Sequence, residues 1–245
     1  MNLRTKLPSA NPSPYVATRA LVLAVLLFAV AALASADIIT VESSSAVTYL
    51  SSGSTTTDFA APFSPANFAA ARTGTSASIL TAIPFYIPAS DIPGAVWIGT
   101  NTNAGVGTGD TALYASSFNL PSNVSSASLT LDYAVDNALG DTNAGIYINE
   151  VALPNSTGIP CGSGVACLGA FDMVNTYSDA SIGSLLVSGT NTIYFDAVNL
   201  GGPAGILFSA SITFTPTPVP EPSSLLLLGA LLALMGIGLR KRWLT

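Results

Sequence analysis

Residues 205–214, GILFSASITF, are the stretch that decides the fold class of this chain. Apolar side chains occupy every second position: Ile206, Phe208, Ala210, Ile212 and Phe214. Successive side chains of a β-strand point to opposite faces of a sheet, so a period of two indicates a strand with one buried face. The stretch therefore predicts a long strand that contributes alternate side chains to a core.

Three earlier segments show the same alternation. Their apolar positions are Leu129, Leu131, Tyr133 and Val135, then Ile146 and Ile148 around Tyr147, then Ile193, Phe195 and Ala197. Stretches rich in Gly, Asn and Pro separate the segments, and only residues 178–187 favour a short helical turn. Many short strands between such turns predict an all-β body, a single β-sandwich over residues 37–215.

The charges of the chain are concentrated at its two ends. The body between residues 37 and 215 holds one basic residue, Arg72, against twelve Asp and Glu, which gives it a formal charge of −11. Such a surface repels nucleic-acid phosphates and anionic lipids but tolerates cations and neutral sugars. Nucleic acid is therefore excluded as a partner.

Residues 1–36 have the three parts of a secretory signal peptide. The first part contains three basic residues, Arg4, Lys6 and Arg19. The apolar run 21–34, LVLAVLLFAVAALA, follows it. Ala34 and Ala36 supply the small side chains that signal peptidase recognises, so Asp37 is the predicted new N-terminus. A permanent N-terminal anchor is the alternative, although the run is short for a membrane span.

Three features follow one another at the C-terminal end. The first is the motif Val219, Pro220, Glu221 and Pro222. An apolar run at about 225–239 and a basic end, Arg-Lys-Arg at 240–242, come after it. In this order they resemble the PEP-CTERM sorting domain of Gram-negative bacteria that make exopolysaccharide. Residues 216–245 are accordingly interpreted as a sorting tail. The prolines on both sides of Glu221 keep the motif extended and accessible.

This resemblance implies processing by exosortase, a membrane protease-transferase that recognises the Pro-Glu-Pro motif. The apolar run predicts a transmembrane helix about 22 Å long, shorter than a hydrocarbon core of about 30 Å. It suits a transient anchor, and an ordinary single-pass anchor is the alternative. The predicted partners are signal peptidase, exosortase and, transiently, the inner membrane. The predicted location of the body is the cell surface or extracellular matrix.

The body itself resembles a galactose-binding-like jelly roll. The residues that carry the resemblance are Tyr114, Phe118, Leu120, Pro121, Asp136-Asn137, Ile146-Tyr147-Ile148-Asn149, Leu185, Gly189, Asn191 and Asn199-x-Gly201-Gly202-Pro203-Ala204-Gly205. Glu150 stands where these domains usually have a glycine, and residues 138–144 lengthen the preceding loop. The resemblance implies the jelly-roll form of the sandwich. It names no ligand, because these domains bind through variable loops.

The body lacks the side chains of most catalytic sites. The chain has no histidine, and both lysines lie in the end segments. These absences exclude a Ser-His-Asp triad, a histidine-ligated zinc and a lysine nucleophile. The remaining enzymatic hypothesis is a carboxylate pair of the glycosidase type among Asp132, Asp136 and Asp141. Solvated turn residues are the plainer alternative.

The sequence implies no cofactor other than a structural Ca²⁺ ion. Asp136, Asp141 and Asn143 offer hard oxygen ligands within one short stretch, and they are weak candidate ligands. The stretch does not follow the EF-hand pattern, because Ile146 occupies the position that needs glycine.

Four aromatic residues are candidates for stacking on sugar rings: Trp97, Tyr114, Tyr147 and Tyr177. Large aromatic side chains in a sandwich also fill the core, which is the alternative. Three functions stay open at this point. The favoured one is a non-enzymatic exported protein of an exopolysaccharide or biofilm matrix. A galactose-binding-like carbohydrate-binding module and a glycan-active hydrolase are the alternatives.

Cys161 and Cys167 are the only cysteines, and the segment CGSGVAC contains both. Two close cysteines in a chain that reaches an oxidising compartment predict a disulfide, with a metal or redox pair as the alternative. We expect the native exported protein to show no free thiol until it is denatured and reduced. Rapid labelling of both thiols on the native protein would contradict the pairing.

Overall fold

A computed structural model of the chain describes residues 35–60, 62–81, 83–121, 123–162, 170–217 and 229. Ser35–Thr217 form one compact unit. Residues 1–34 of the predicted signal peptide, the sorting motif, the predicted helix 225–239 except Gly229, and the basic end lie outside the described residues. Within the part that the structure describes, no helix is long and apolar enough to cross a membrane.

Two antiparallel sheets form the described body. The first contains six strands: β1 (Asp37–Glu42), β4 (Ser78–Ile79), β5 (Ile98–Gly99), β7 (Val124–Asp136), β11 (Asn175–Asp179) and β13 (Gly205–Pro216). Its order is β11-β7-β13-β5-β4, and β1 also pairs with β13. β13 pairs with β7 from Gly205 opposite Asp136 to Pro216 opposite Val124. This long pair is the centre of the first sheet.

The second sheet contains seven strands. They are β2 (Thr48–Ser51), β3 (Thr75–Ser76), β6 (Ala112–Leu120), β8 (Ala138–Leu139), β9 (Ile146–Ile148), β10 (Val151–Ala152) and β12 (Gly189–Val198). The order is β10-β9-β12-β6-β2-β3, with β8 also paired to β12. The sheets contain six and seven strands, so each presents a broad apolar face to the other.

The main core lies between the facing sides of the two sheets. The five apolar residues whose alternation predicted β13 are all buried there, each with 1% exposure or less. The rings of Phe195 on β12 and Phe208 on β13 meet across it with centroids 4.3 Å apart. The prediction of an all-β fold, a single β-sandwich of the jelly-roll kind, is confirmed.

A helix that the sequence analysis did not predict covers the outer face of the second sheet. α1 (Pro65–Arg72) begins after Ser64, whose side chain caps it together with Asn67. Only Phe68 and Ala71 of this helix are buried, so it shows no apolar periodicity that would have revealed it. The Phe68 ring packs against Tyr147 and Tyr194 at centroid distances of 5.1 and 4.9 Å. The helix therefore closes a second, smaller core.

The outer face of the first sheet is covered by the segment between β4 and β5. Trp97 and Tyr86 stack with ring centroids 4.4 Å apart and pack with Leu207 and Ala134 of the sheet. The Trp97 indole donates a hydrogen bond of 2.9 Å to the carbonyl of Ile87. The first sheet is thus buried on both faces near this segment. The second sheet is buried on both faces near α1.

The asparagines of the jelly-roll resemblance hold turns. Asn149 donates to the Asn191 side chain over 2.7 Å and accepts from the Thr192 amide over 2.9 Å. Asn199 donates to the carbonyls of Gly109 and Gly202. Buried main-chain groups require such partners, so these residues serve the fold.

Replacing Phe68 with Ala tests the outer core. We expect Phe68→Ala to lower the free energy of unfolding by about 3–5 kcal/mol, because a buried aromatic ring leaves a cavity. Urea denaturation of the exported protein measures the effect. Phe85→Ala is the matched control, since its side chain is 70% exposed and its loss should change stability by about 0.5 kcal/mol or less. Equal midpoints for both variants would contradict the assignment of Phe68 to a core.

Candidate functional site

Asp136, the first predicted calcium ligand, lies at the end of β7 and is 5% exposed. Its carboxylate accepts a hydrogen bond of 2.9 Å from the hydroxyl of Tyr86. Burial raises the pKa of Asp136 to about 6, and the Tyr86 hydrogen bond opposes that rise. Asp136 is thus a buried carboxyl that titrates close to neutral pH, on the side of the first sheet that Trp97 covers.

The other two predicted ligands lie in a loop held by Asp58. One carboxylate oxygen of Asp58 accepts hydrogen bonds from the amides of Asp141, Thr142 and Asn143 at 3.2, 2.8 and 3.2 Å. The Thr142 hydroxyl adds a fourth bond of 2.9 Å. The Asn143 side chain donates to the carbonyl of Phe59 over 3.2 Å. The hydrogen bonds shown for Asp136 and for this loop therefore go to different parts of the chain.

Asp196 is the acidic residue that sequence reasoning missed. It lies in β12 with no exposure, and no hydrogen-bond donor among the described residues reaches either of its carboxylate oxygens. Burial raises its pKa well above the usual value, and the carboxylates of Asp58 and Asp141 raise it further. Asp196 is thus a fully buried carboxyl whose charge is disfavoured by carboxylates from distant parts of the sequence.

No signal in the sequence around Asp196 marks it as buried. Alternation places it on the outer face of β12, between Phe195 and Ala197 of the main core. Gly140 and Gly145 hydrogen-bond to the main chain of Asp196, and Asp58 binds the loop between them. In the described ranges, no group of three or more Asp, Glu, Cys or His residues is arranged to hold a metal. The calcium ligands proposed from the sequence stay a prediction.

The third residue of the carboxylate hypothesis, Asp132, accepts a hydrogen bond of 2.8 Å from Thr176 on β11. It belongs to a strand-to-strand contact of the first sheet, whereas Asp136 contacts Tyr86 and Asp141 follows Asp58. The contacts of Asp132 and Asp136 thus lie on different elements, so these two carboxyls do not form a pair.

Three of the four aromatic candidates belong to the core. Trp97, Tyr114 and Tyr147 are 2%, 2% and 7% exposed, which confirms the core interpretation for them. The hydroxyl of Tyr177 donates a hydrogen bond of 2.7 Å to the carbonyl of Pro154. A sugar platform made of these rings would require Trp97, Tyr114 and Tyr147 to leave the interior.

The basic residue of the body, Arg72, ends α1. Its guanidinium donates to the Tyr194 hydroxyl over 3.1 Å and lies 3.7 Å from a carboxylate oxygen of Glu150. Glu150 has a φ of 72°, in the left-handed region that favours glycine. The ion pair is partly exposed and therefore contributes little stability.

Cys161 carries no free thiol in the described part of the chain. Its predicted partner, Cys167, lies outside the described residues, so their pairing stays a prediction.

Comparison with known proteins gives a clear result for the tail. Residues 218–242 match the family model for the PEP-CTERM protein-sorting motif. The chain therefore carries this sorting signal, which indicates exosortase processing and an exported, membrane-anchored precursor. The comparison with curated proteins returns no match.

Solved structures similar to the body include two carbohydrate-binding modules. A native family 35 module from Clostridium thermocellum is 19% identical, with 55% of this chain and 86% of the module covered and a TM-score of 0.30. A CBM35 from Cellvibrio japonicus Abf62 is 15% identical, with 75% and 100% covered and a TM-score of 0.29.

A third similar structure belongs to an enzyme. An exo-beta-1,3-galactanase from Phanerochaete chrysosporium is 19% identical, with 56% of this chain and 26% of the enzyme covered and a TM-score of 0.25. At TM-scores of 0.25 to 0.30 these similarities carry no conclusion about the body, whose all-β fold is shown by its own two antiparallel sheets.

The Tyr86–Asp136 hydrogen bond predicts a pH-dependent loss of stability. The raised pKa of Asp136 means that the folded protein binds its proton more tightly than the unfolded chain, so stability falls as pH rises from about 4 to about 6. Above that window the hydroxyl of Tyr86 contacts a charged carboxylate. We expect Tyr86→Phe to cost about 1.5–3 kcal/mol at pH 7.5 and about 0.5–1.5 kcal/mol at pH 4, measured by urea denaturation.

Tyr177→Phe is the matched control for this prediction. Its hydroxyl donates to a neutral carbonyl, so its loss should cost the same at both pH values. Equal losses for Tyr86→Phe at pH 4 and pH 7.5 would show that Asp136 does not titrate as described.

Proposed function

We propose that this chain is an exported, exosortase-processed protein of the cell surface or extracellular matrix of a Gram-negative bacterium, and that its β-sandwich body is not an enzyme. The observation that carries the proposal is the sorting motif over residues 218–242. The motif, the apolar run and the basic end occur in the order that the sorting machinery requires. Its setting is an exopolysaccharide or biofilm matrix.

The ends of the body support this assignment. β1 begins at Asp37, which is the first residue after the predicted signal peptide. Asp37 pairs with Phe214 on β13, and the amide of Thr217 donates a hydrogen bond of 2.8 Å to the carbonyl of Asn123. The folded body therefore spans the chain between the two predicted processing sites. The start of its first strand lies beside the end of its last strand.

The buried acidic pair supports the non-enzymatic assignment. A glycosidase needs two carboxyls that face each other across a space for the sugar. Asp58 accepts hydrogen bonds from the loop of residues 141–143, and Asp196 is fully buried. A glycan cannot reach the Asp196 carboxylate without removal of the covering loop, so this pair lacks the geometry of a glycosidase.

The proposed partners follow from the tail and the charge. Signal peptidase and exosortase process the chain, and the inner membrane holds its precursor. An acidic body with a formal charge of −11 is compatible with neutral polysaccharide and repels nucleic acid. Carbohydrate binding by the body, the second hypothesis, would need a surface other than Trp97, Tyr114 and Tyr147, because those rings are buried.

Replacing Glu221 with Ala tests the sorting function. We expect the variant to accumulate at full length in the inner membrane, because the enzyme that recognises Pro-Glu-Pro no longer releases it. Cell fractionation and intact-mass measurement follow the outcome. Ser224→Ala is the control, since it changes a neighbouring residue outside the motif and should be sorted like the wild type. Identical location and mass for Glu221→Ala and the wild type would refute the proposal.

A further inference from the structure

Asp196 is a buried carboxyl whose surroundings favour its neutral form. Its side chain has no exposure, and no hydrogen-bond donor among the described residues reaches either carboxyl oxygen. Burial penalises the charged form of an acid, because water no longer solvates the charge. The folded body therefore binds a proton at this carboxyl more tightly than the unfolded chain does.

The ionisable groups that act on Asp196 strengthen this preference. The carboxylates of Asp58 and Asp141 disfavour a further negative charge near them. Tyr147 supplies no positive charge, since burial and, next to it, Asp196 raise the pKa of its hydroxyl to about 12. Arg72, the one basic residue of the body, forms a partly exposed ion pair at the end of α1. A proton is therefore what neutralises Asp196.

The loop of residues 140–145 is anchored at both ends on the main chain of Asp196. The Gly140 amide donates to the Asp196 carbonyl over 2.8 Å, and the Asp196 amide donates to the Gly145 carbonyl over 2.9 Å. β12, which carries Asp196, lies between β6 and β9 in the second sheet, so it cannot move aside without loss of strand pairing. The loop is therefore the element that can yield when the charge of Asp196 changes.

Asp58 holds the middle of the same loop. One of its carboxylate oxygens accepts hydrogen bonds from the amides of residues 141–143. The Thr142 hydroxyl also donates to the neighbouring carbonyl of Phe59 over 3.0 Å. The carboxylate that ties the loop down is thus one of the two that an ionised Asp196 would repel.

We propose that Asp196 is the proton-sensitive element of a latch, in which residues 58–60 and 140–145 separate from β12 when Asp196 ionises. Phe59 and Ala144 both pack against the small core around Phe68, so the opening exposes part of that core. The open loop lets water reach the carboxylate and removes the cost of its burial. Because the body is exported, the pH that operates the latch is that of the surroundings of the cell.

Hydrogen exchange of the exported protein, recovered from cells, measures the opening. Mass spectrometry follows the amides of residues 140–145 in the wild type and in Asp196→Asn at the same pH, so that the chemical exchange rate cancels in their ratio. From about pH 5 to about pH 8, we expect the wild-type-to-variant ratio to rise by up to about tenfold per pH unit. The rise is expected because the closed state retains a proton that the open state releases. Residues 58–60 should show the same rise.

Asp136→Asn is the matched control, because it removes another buried carboxyl, whose contact is with Tyr86. The ratio of wild-type exchange to Asp136→Asn exchange in the loop should stay constant over the same pH range. Circular dichroism checks that both variants fold. If Asp196→Asn does not fold, Asp196→Ser serves the same test, since it also removes the ionisable group.

Three results would overturn the proposal. A ratio that stays constant with pH for Asp196→Asn would show that the loop does not respond to this carboxyl. A rise for Asp136→Asn alone would assign the response to the carboxyl beside Tyr86. Equal rises for both variants would mean that the loop exchanges through global unfolding, which ionises both carboxyls. None of these results depends on the sorting tail.

Discussion

The antiparallel pairing of β13 with β7 is the contact on which the rest of the body depends. It runs along the whole of β13, and the alternation of both strands turns one row of apolar side chains toward the second sheet. β1 and β5 both add to the free side of β13. The opposite face at Ala134 and Leu207 receives the segment that carries Trp97. Without this pair, neither the main core nor the cluster around Trp97 would have a sheet to pack against.

The sequence predicted the parts of this fold that depend on local alternation. β7, β12 and β13 each show a period of two, because one side of each strand faces the interior. It did not predict α1, since two buried residues in one short helix make no pattern. The burial of Asp196 also escaped prediction, because residues 140–145, which hydrogen-bond to its main chain, come from a distant part of the sequence. Asp136 and Asp141 are close in sequence, but a strand end and a loop take them to different partners.

The sparse charge of the body gives each polar contact unusual weight. With one basic residue among the twelve acids of the body, ion pairing cannot neutralise the interior. The protein relies instead on main-chain donors, as at Asp58, and on hydroxyl donors, as at Asp136. The motif asparagines apply the same principle to the turns, where amide groups satisfy main-chain atoms that no strand can reach. In this body, the motif asparagines therefore hold the geometry of the turns.

The register of β1 against β13 sets an order of events during export. β1 is the first strand to cross the membrane, and its partner β13 is the last. Until β13 arrives, Asp37 has no place in a sheet and the bond before it remains in extended, accessible chain. For a signal peptidase that cuts before Asp37, cleavage therefore precedes the docking of β1. The opposite end has no such interval, because only Pro218 and Val219 separate Thr217 from the Pro-Glu-Pro motif, a reach of about 7 Å. If both proteases cut at the proposed sites, the N-terminal one acts on an unfinished chain, whereas exosortase meets a body that is already folded up to its recognition sequence.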